Sequence, residues 1–435
     1  MPNALWNDKA ETLPRSALER VQTRGLQRLL RRVAEHSPMY GEHLRANGVR
    51  SEVIRTIRDF QQAVPPVSKD DLRWHMERRG DPLPHLCVPR DHLTLVGMST
   101  GTSGRRTFDA YTRRDVLAQT ELIARHQAMV GFAPSDVLYF PATAHSAWAV
   151  LADRAARALG MGLVLRDDIE PRFAGRYVYA LRWMKPTVAY LGLSIIRAIE
   201  EEASQQGLVP SDFVRLRRII TYGDRLSPEA RAVIRDRWGV DCHVLGGSGS
   251  DITVFGVECD LHDGLHFLCE DKVLVEVIDP DSLEPCPPGE TGELVLTDFY
   301  RQATPHLRLR TGDLARVLPG PCECGRTHLR VDFVGRAAFR VTVNGKQVRV
   351  DDVERALSRV RGLANHEFSI VRSAPDMSRL VVRVQVALAG NGSSAQSLQR
   401  VAQAELERIV GEPVTVELVS ELPVVGYKTL RVVDA

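Results

Sequence analysis

In and just before "RGLQRLLRRVAEH" the apolar positions Leu18, Val21, Leu26, Leu29 and Val33 recur at helical spacing, with arginines filling the positions between them. The pattern predicts a docked helix whose basic face is wetted by solvent. The rest of the first hundred residues reads as helices broken by Pro-rich turns. In "VPPVSKDDLRWHMERR", Ser68 is the expected N-cap and Asp71, three residues on, its reciprocal partner. "DHLTLVGMS" then reads as a strand entering a Ser/Thr/Gly loop, with a helix from about Arg113.

Beyond this point apolar strands alternate with amphipathic helices. "DVLYFPA", "GLVLR", "TVAYLG", "LRRIITYG" and "DCHVLGG" are separated by helical stretches such as "AWAVLADRAARALGM" and "SIIRAIEEEASQQ". This order predicts an α/β fold with a largely parallel sheet covered on both faces. From Phe267 to Val334 the pattern becomes strand-rich with Gly and Pro turns, which predicts a β-rich subdomain. The last hundred residues read as a compact α+β unit, opened by a hairpin with Asn344-Gly345 at its turn. The expected organisation is a large N-terminal domain over 1–334, its β-rich part at about 267–334, and a small C-terminal domain over 335–435.

Composition narrows the function classes. A hydrophobic content of 44%, a charged content of 26% and a net charge of +2 describe a globular chain without the basic field that nucleic acid binding requires. No apolar run approaches the roughly 20 residues of a membrane span, and the first residues lack a signal peptide's apolar core. A cytoplasmic protein with no nucleic acid or membrane partner is expected. Seven cysteines, an odd number, argue against a disulfide framework and leave metal binding, catalysis or burial.

Three sets of residues could carry chemistry. In "GMSTGTSGRRTFDAYT", Ser99, Thr100, Gly101, Thr102, Ser103 and Gly104 offer main-chain N–H groups and hydroxyls beside Arg105 and Arg106. Such a loop can cradle a polyphosphate, although it is not a Walker sequence; composition alone leaves a Ser/Gly surface turn equally open. Cys259, Cys322 and Cys324 with His266 or His262 match the thiolate and imidazole preference of tetrahedral zinc, and His266 is chosen for a Cys₃His site; free buried thiols are the alternative. His145, Trp148 and Tyr190 fall near the C-terminal ends of expected strands, where sheets of this type bind ligands. A core Trp148 and a helix-capping His145 are the plainer readings.

The loop "STGTSGRRT" resembles the Ser/Thr/Gly loop of the adenylate-forming acyl-CoA synthetase (ANL) superfamily. Further matches point to its phenylacetate–CoA ligase branch: "LWNDKAETLPRSALERVQ", "HSPMYGEHL", "VPPVSKDDLR", "GVECDLHDGLH", "IDPDSLEPCPPGETGELVLTDFYRQATPHLRLRTGDLARVL", and "CECGRTHLR" followed by "VGR". The resemblance spans nearly the whole chain. It implies an ATP-dependent enzyme that activates a carboxylic acid, aryl or arylacetic in this branch, as acyl-AMP and passes it to CoA. Its C-terminal domain is expected to be mobile, rotating between the two half-reactions.

Carried over position by position, the resemblance implies that Ser99 to Arg105 hold the ATP phosphates, with Arg105 where lysine is usual. It places Gly223 and Asp224 against adenine and Asp313 of "RTGD" on the ribose hydroxyls. Arg336 falls near the inter-domain hinge, and Lys428 reaches the carboxylate and α-phosphate. Two departures stand out. The stretch "LGGSGSD" has Gly249 where the family's Mg²⁺-binding Glu stands, leaving Ser248 as a polar neighbour and Asp251 as the acidic candidate of an altered site. The family's hinge acids are replaced by Ala337 and Ala338. These losses keep open an amide- or ester-forming adenylase with an amine or carrier-protein acceptor, and a regulatory homologue that only binds nucleotide. The resemblance also admits a homodimer.

Overall fold

The fold is a computed structural model that describes residues 4–99, 106–142, 146–222, 226–248, 254–339, 341–363, 366–386, 392–425 and 428–435. The side chains of 163, 166, 248, 254, 338, 351, 392–394, 425 and 428 also lie outside the description. Two compact units emerge, each assembled from separated stretches: Met1–Asp136, Ala142–Val164 and Leu245–Phe333 form one, and Val137–Pro141, Leu165–Val244 and Val334–Ala435 form the other.

In the first unit the basic helix spans Arg15–His36 and buries Leu18, Leu26, Leu29, Leu30 and Val33. Val21, expected on the same face, is 36% exposed, because Gln22 takes the inward position and donates from Nε2 to the backbone oxygen of Glu270. The helix leucines share a core with Tyr40, Phe60, Leu274, Phe299 and Leu307. The helix Lys69–Arg79 begins with the expected capping box, in which Ser68 accepts from Asp71 N and Asp71 accepts from Ser68 N. The strands Val273–Ile278, Gly292–Asp298 and Leu309–Val317 pair antiparallel in sequence order, and the first two are buried along their whole length. Strands Val254–Glu258, Leu265–His266 and Arg330–Arg336 continue the antiparallel pattern, Leu265–His266 lying between the other two.

The second unit holds the parallel strands Val137–Pro141, Val188–Tyr190 and Arg218–Tyr222, with Leu138 opposite Val188 and Ala189 opposite Ile219. Helices Ala174–Met184, Leu193–Gln205 and Pro228–Trp238 alternate with strands along this stretch, the crossover arrangement that a parallel pair requires. Its C-terminal part carries its own core. Strands run in the order Val414–Val419, Leu380–Gln385, Phe368–Arg372, Val432–Asp434, and helices Val350–Ser358 and Gly392–Val410 join them around Val353, Leu357, Ile370, Val382 and Leu406. Asn344 (φ 50°) and Gly345 (φ 76°) form the turn between Val341–Val343 and Lys346–Val348, the paired positive angles that a tight two-residue hairpin demands.

Candidate functional site

The Ser/Thr/Gly loop does not run from a strand straight into a helix, as its sequence suggested. Strand Leu93–Met98 is followed by a second strand, Phe108–Thr112, and the two pair antiparallel with Gly97 opposite Asp109 and Met98 opposite Phe108. The helix Arg113–Met129 starts after that, capped by Thr112 and Asp115. Ser99 N donates to Thr107 O, and Thr107 N donates to Ser99 Oγ, each at 2.9 Å, closing the loop's neck. Thr100, Gly101, Thr102, Ser103, Gly104 and Arg105, inside this neck, lie outside the described residues. The base is rigid for two reasons. A Cβ on Gly97 would come within 2.5 Å of Ala147 Cβ, so only glycine fits beside the helix Ala147–Ala158. One residue beyond Phe108, the buried Asp109 accepts from Arg301 Nη2 at 2.5 Å, from Thr304 Oγ1 at 2.5 Å and from Tyr111 OH at 2.8 Å. Burial works against its charged form, yet Arg301 and His306 hold its carboxyl below the usual range.

Asp313 is buried on strand Leu309–Val317, and its N–H donates to Thr311 Oγ1 at 3.1 Å. The strand is braced by the "VPPVSKDDLR" segment. Val67 N donates to Arg308 O at 2.9 Å and Arg310 N to Val67 O at 2.8 Å, while the buried Arg308 guanidinium donates to the backbone oxygens of Gln61 and Val64. Two stretches that are far apart in sequence and both carry the family resemblance therefore meet as neighbouring backbone.

Arg336 is half-buried at the end of strand Arg330–Arg336. Lys428 begins the short strand Lys428–Thr429, opposite Val425 of Val424–Val425, so its backbone sits at a hairpin tip. Tyr190 is fully buried with its ring centroid 4.9 Å from that of Phe140. In the other unit the Trp148 indole meets Phe255 edge-on, with centroids 6.4 Å apart, and the His126 ring lies 5.3 Å from the same phenyl group. Gly223, Asp224, Asp251 and His145 fall outside the described residues, and Ser248 is described in its backbone alone, as the last residue of strand Asp241–Ser248.

Cys259, His266, Cys322 and Cys324 come together with their ligand atoms all within 4.8 Å of one another. Cys259 Sγ and Cys322 Sγ are 3.8 Å apart, and Cys324 Sγ lies 3.6 Å from His266 Nε2. Tetrahedral zinc with bonds of about 2.3 Å to sulfur and 2.0–2.1 Å to nitrogen sets sulfurs about 3.8 Å and sulfur and nitrogen about 3.6 Å apart. The donors thus fit the ion. All seven cysteines are free, in keeping with a metal cluster and not a disulfide. The hydrogen bond from Cys259, and then that with His266, pull the Cys324 thiol well below the usual thiol range against the effect of burial. His262 is not part of the set; its Nδ1 lies 3.2 Å from Glu258 Oε2. Gly325 N donates to Cys322 O at 3.1 Å, closing the tight turn of the cysteine pair.

The charged groups under these features leave no sign in the local sequence pattern. Arg301 has its hydrogen-bonded carboxylate, Asp109, 192 residues away in the chain, with Asp298 more distant at 3.6 Å. Arg326, two residues after Cys324, is fully enclosed and bonded to the equally enclosed Glu11. Only burial paired with a cationic or anionic side chain could have signalled them, and burial of a lone Arg is not visible in a local pattern.

No family model matches the chain. Among curated proteins it is 30% identical over 393 residues to the phenylacetate-coenzyme A ligase of Thermus thermophilus, covering 88% of this chain and 84% of that enzyme. It is 26% identical over 385 residues to the enzyme of the same name from Escherichia coli, covering 87% and 85%. Among solved structures, 2-hydroxyisobutyryl-CoA ligase in its postadenylation state with R3-HIB-AMP superposes with a TM-score of 0.89 at 25% identity, covering 99% of this chain and 92% of that one. The open conformation of that ligase with 2-HIB-AMP and CoA gives 0.71 at the same identity, covering 99% and 94%. The mixed α/β architecture, the order of the motifs and this length of shared sequence agree, and the chain belongs to the phenylacetate–CoA ligase family of AMP-forming, adenylate-forming ligases.

Proposed function

We propose that this ligase joins a carboxylic acid, aryl or arylacetic, to the thiol of CoA in two steps. The carboxylate oxygen attacks the α-phosphorus of ATP and pyrophosphate leaves; the CoA thiolate then attacks the acyl carbonyl and AMP leaves. The observation that carries the reading is the 30% identity to a phenylacetate-coenzyme A ligase across 88% of the chain. The closed neck at Ser99 and Thr107 supports a phosphate role for Ser99 to Arg105, because it anchors both ends of a segment whose sequence is rich in N–H and hydroxyl donors.

In this reading Arg105 carries phosphate charge that Mg²⁺ and a glutamate share elsewhere in the family, and Asp251 is the acidic residue left for the ion. Gly223 and Asp224 pack on adenine, Asp313 accepts from the ribose, Arg336 serves the hinge, and Lys428 stabilises the charge that develops during adenylation. His145 and Trp148 are proposed as a polar and an aromatic wall for the acid. Cys259, His266, Cys322 and Cys324 hold a structural zinc, a role supported by the 3.8 and 3.6 Å separations. Among the described residues no helix is long and apolar enough to cross a membrane; the cytoplasm is the proposed compartment.

Pyrophosphate release measured across a panel of aromatic and aliphatic acids, with and without CoA, tests the reading. Acid-dependent release together with consumption of free thiol is expected. Release that requires an amine in place of CoA assigns the acceptor differently, and ATP binding without acid-dependent release removes the ligase activity.

A further inference from the structure

Beside the loop's base, in the first unit, lies a second cluster that the ligase reaction does not use. His85, Asp109 and His306 are all buried, and one ring nitrogen or carboxylate oxygen from each lies within 4.8 Å of the other two. They come from three separate stretches: the segment before Cys87, the strand Phe108–Thr112, and the segment after strand Gly292–Asp298. Bonds donated by main-chain N–H groups already stitch these together, Cys87 N to Ala303 O at 2.8 Å and Ala110 N to the Thr304 side-chain Oγ1 at 2.9 Å.

Each of the three has a lone pair to spare. His306 Nδ1 lies 2.7 Å from Asp298 Oδ2 and 3.3 Å from Arg301 Nη1, and in the tautomer that donates Nδ1–H to this carboxylate Nε2 keeps its lone pair for a metal. On Asp109 the Oδ2 atom receives both Tyr111 OH and Arg301 Nη2, whereas among the described residues Oδ1 receives only the Thr304 hydroxyl. His85 is wholly enclosed, its ring centroid 5.6 Å from that of His306, and neither of its nitrogens has a hydrogen-bond partner among the described residues. A buried imidazole in that condition forfeits its hydration with nothing in return.

We propose that His85, Asp109 Oδ1 and His306 Nε2 bind a divalent first-row transition-metal ion, which fastens the strand leaving the phosphate loop to the segments before Cys87 and after Asp298. Two imidazoles and one carboxylate suit such an ion and disfavour Ca²⁺ or Mg²⁺, which seek oxygen-rich shells. The site shares no residue with the cysteine cluster and does not depend on the identity of the acid or acceptor.

The test is cobalt loading of the purified full-length chain, read by metal content and by absorption, since thiolate-bound Co²⁺ gives a near-ultraviolet charge-transfer band and an N/O-bound ion does not. The expected result is about two equivalents per chain, one of them free of sulfur ligation. The double variant Cys259→Ser/Cys322→Ser is expected to lose the charge-transfer band and keep the sulfur-free equivalent. His85→Gln is expected to keep the band and lose that equivalent. Should His85→Gln fail to fold, X-ray absorption of the metal in the cysteine double variant decides, with a nitrogen and oxygen shell expected. A wild-type chain whose only bound metal is sulfur-ligated, a metal-free chain, or a His85→Gln variant with unchanged metal content each overturns the proposal. Absence of the charge-transfer band in wild type with the sulfur-free ion retained removes the zinc reading of the cysteines and leaves this site standing.

Discussion

Arg326 donates from Nε to Glu11 Oε2 at 2.8 Å, and both side chains are closed off from solvent. Glu11 Oε1 also receives the backbone N–H groups of Trp6 and Asn7, and Arg326 Nη2 reaches Ala4 O, so the N-terminal segment is fastened to the turn that follows the cysteine pair. Removing one partner strands the other charge in the interior. Glu11→Ala is expected to lower stability by roughly 3–5 kcal/mol, whereas Glu11→Leu with Arg326→Met costs much less. Urea midpoints of the two variants check the difference; equal losses would remove the stranded-charge explanation.

A second buried guanidinium makes stability depend on pH. Arg125 is fully enclosed and binds Asp271 through two parallel bonds of 2.7 and 3.0 Å, with Glu121 on its Nε side at 2.7 Å. Burial alone would raise the Asp271 carboxyl, but the Arg125 bond and charge, with Lys272, hold it well below the usual range. A depressed folded pKa contributes stability that is present above the unfolded value of about 3.9 and is lost as pH falls through the folded one. Asp271→Asn is therefore expected to reduce stability at pH 7 and to flatten the acid limb of the stability profile below about pH 4. Chemical denaturation at stepped pH reads the slope, and an unaltered acid limb counts against this pair as its source.

Gly97 faces the start of the helix Ala147–Ala158 with no room for a Cβ. Gly97→Val is expected to destabilise the chain by about 1–3 kcal/mol, through overpacking, and to raise KM for ATP by displacing the neck of the loop. Steady-state kinetics beside a thermal melt separate the two effects. A stability loss with KM for ATP unchanged would detach the neck from nucleotide binding.

Lys428 sits at a hairpin tip, and its proposed task belongs to one half-reaction alone. Lys428→Ala is expected to slow acid-dependent ATP–pyrophosphate exchange by about 10²–10³-fold. Thioester formation from supplied acyl-AMP should stay within a few-fold of wild type. Equal losses in both assays would mean that the lysine supports the fold or the acceptor step.

Local chemistry was legible in the sequence wherever the partners are near in the chain. Ser68 and Asp71 cap a helix as their spacing predicts, and Asn344-Gly345 turns a hairpin. The cysteine cluster was also readable, because thiol and imidazole are scarce enough to be counted across the chain, and the geometry brings in His266 and leaves out His262. The strand Phe108–Thr112 was not seen. Its inward Asp109 reads as a polar break, and only Arg301, Thr304 and Tyr111 make that carboxylate acceptable inside. Gln22 in place of Val21 on the buried face of the first long helix has the same origin, a polar group whose partner, Glu270, lies 248 residues on. Helical periodicity carries no record of such distant satisfaction.

The two bonds between Ser99 and Thr107 bear on the thermodynamics of the nucleotide capture proposed for this loop. A segment whose ends are tied at a fixed separation has surrendered its loop-closure entropy during folding, so the ligand need not supply that term when it binds. The same tie makes the length of the segment between them a controlled variable. Each inserted or deleted residue would change the arc while leaving its anchors in place, and nucleotide affinity should respond to that length far more sharply than fold stability does.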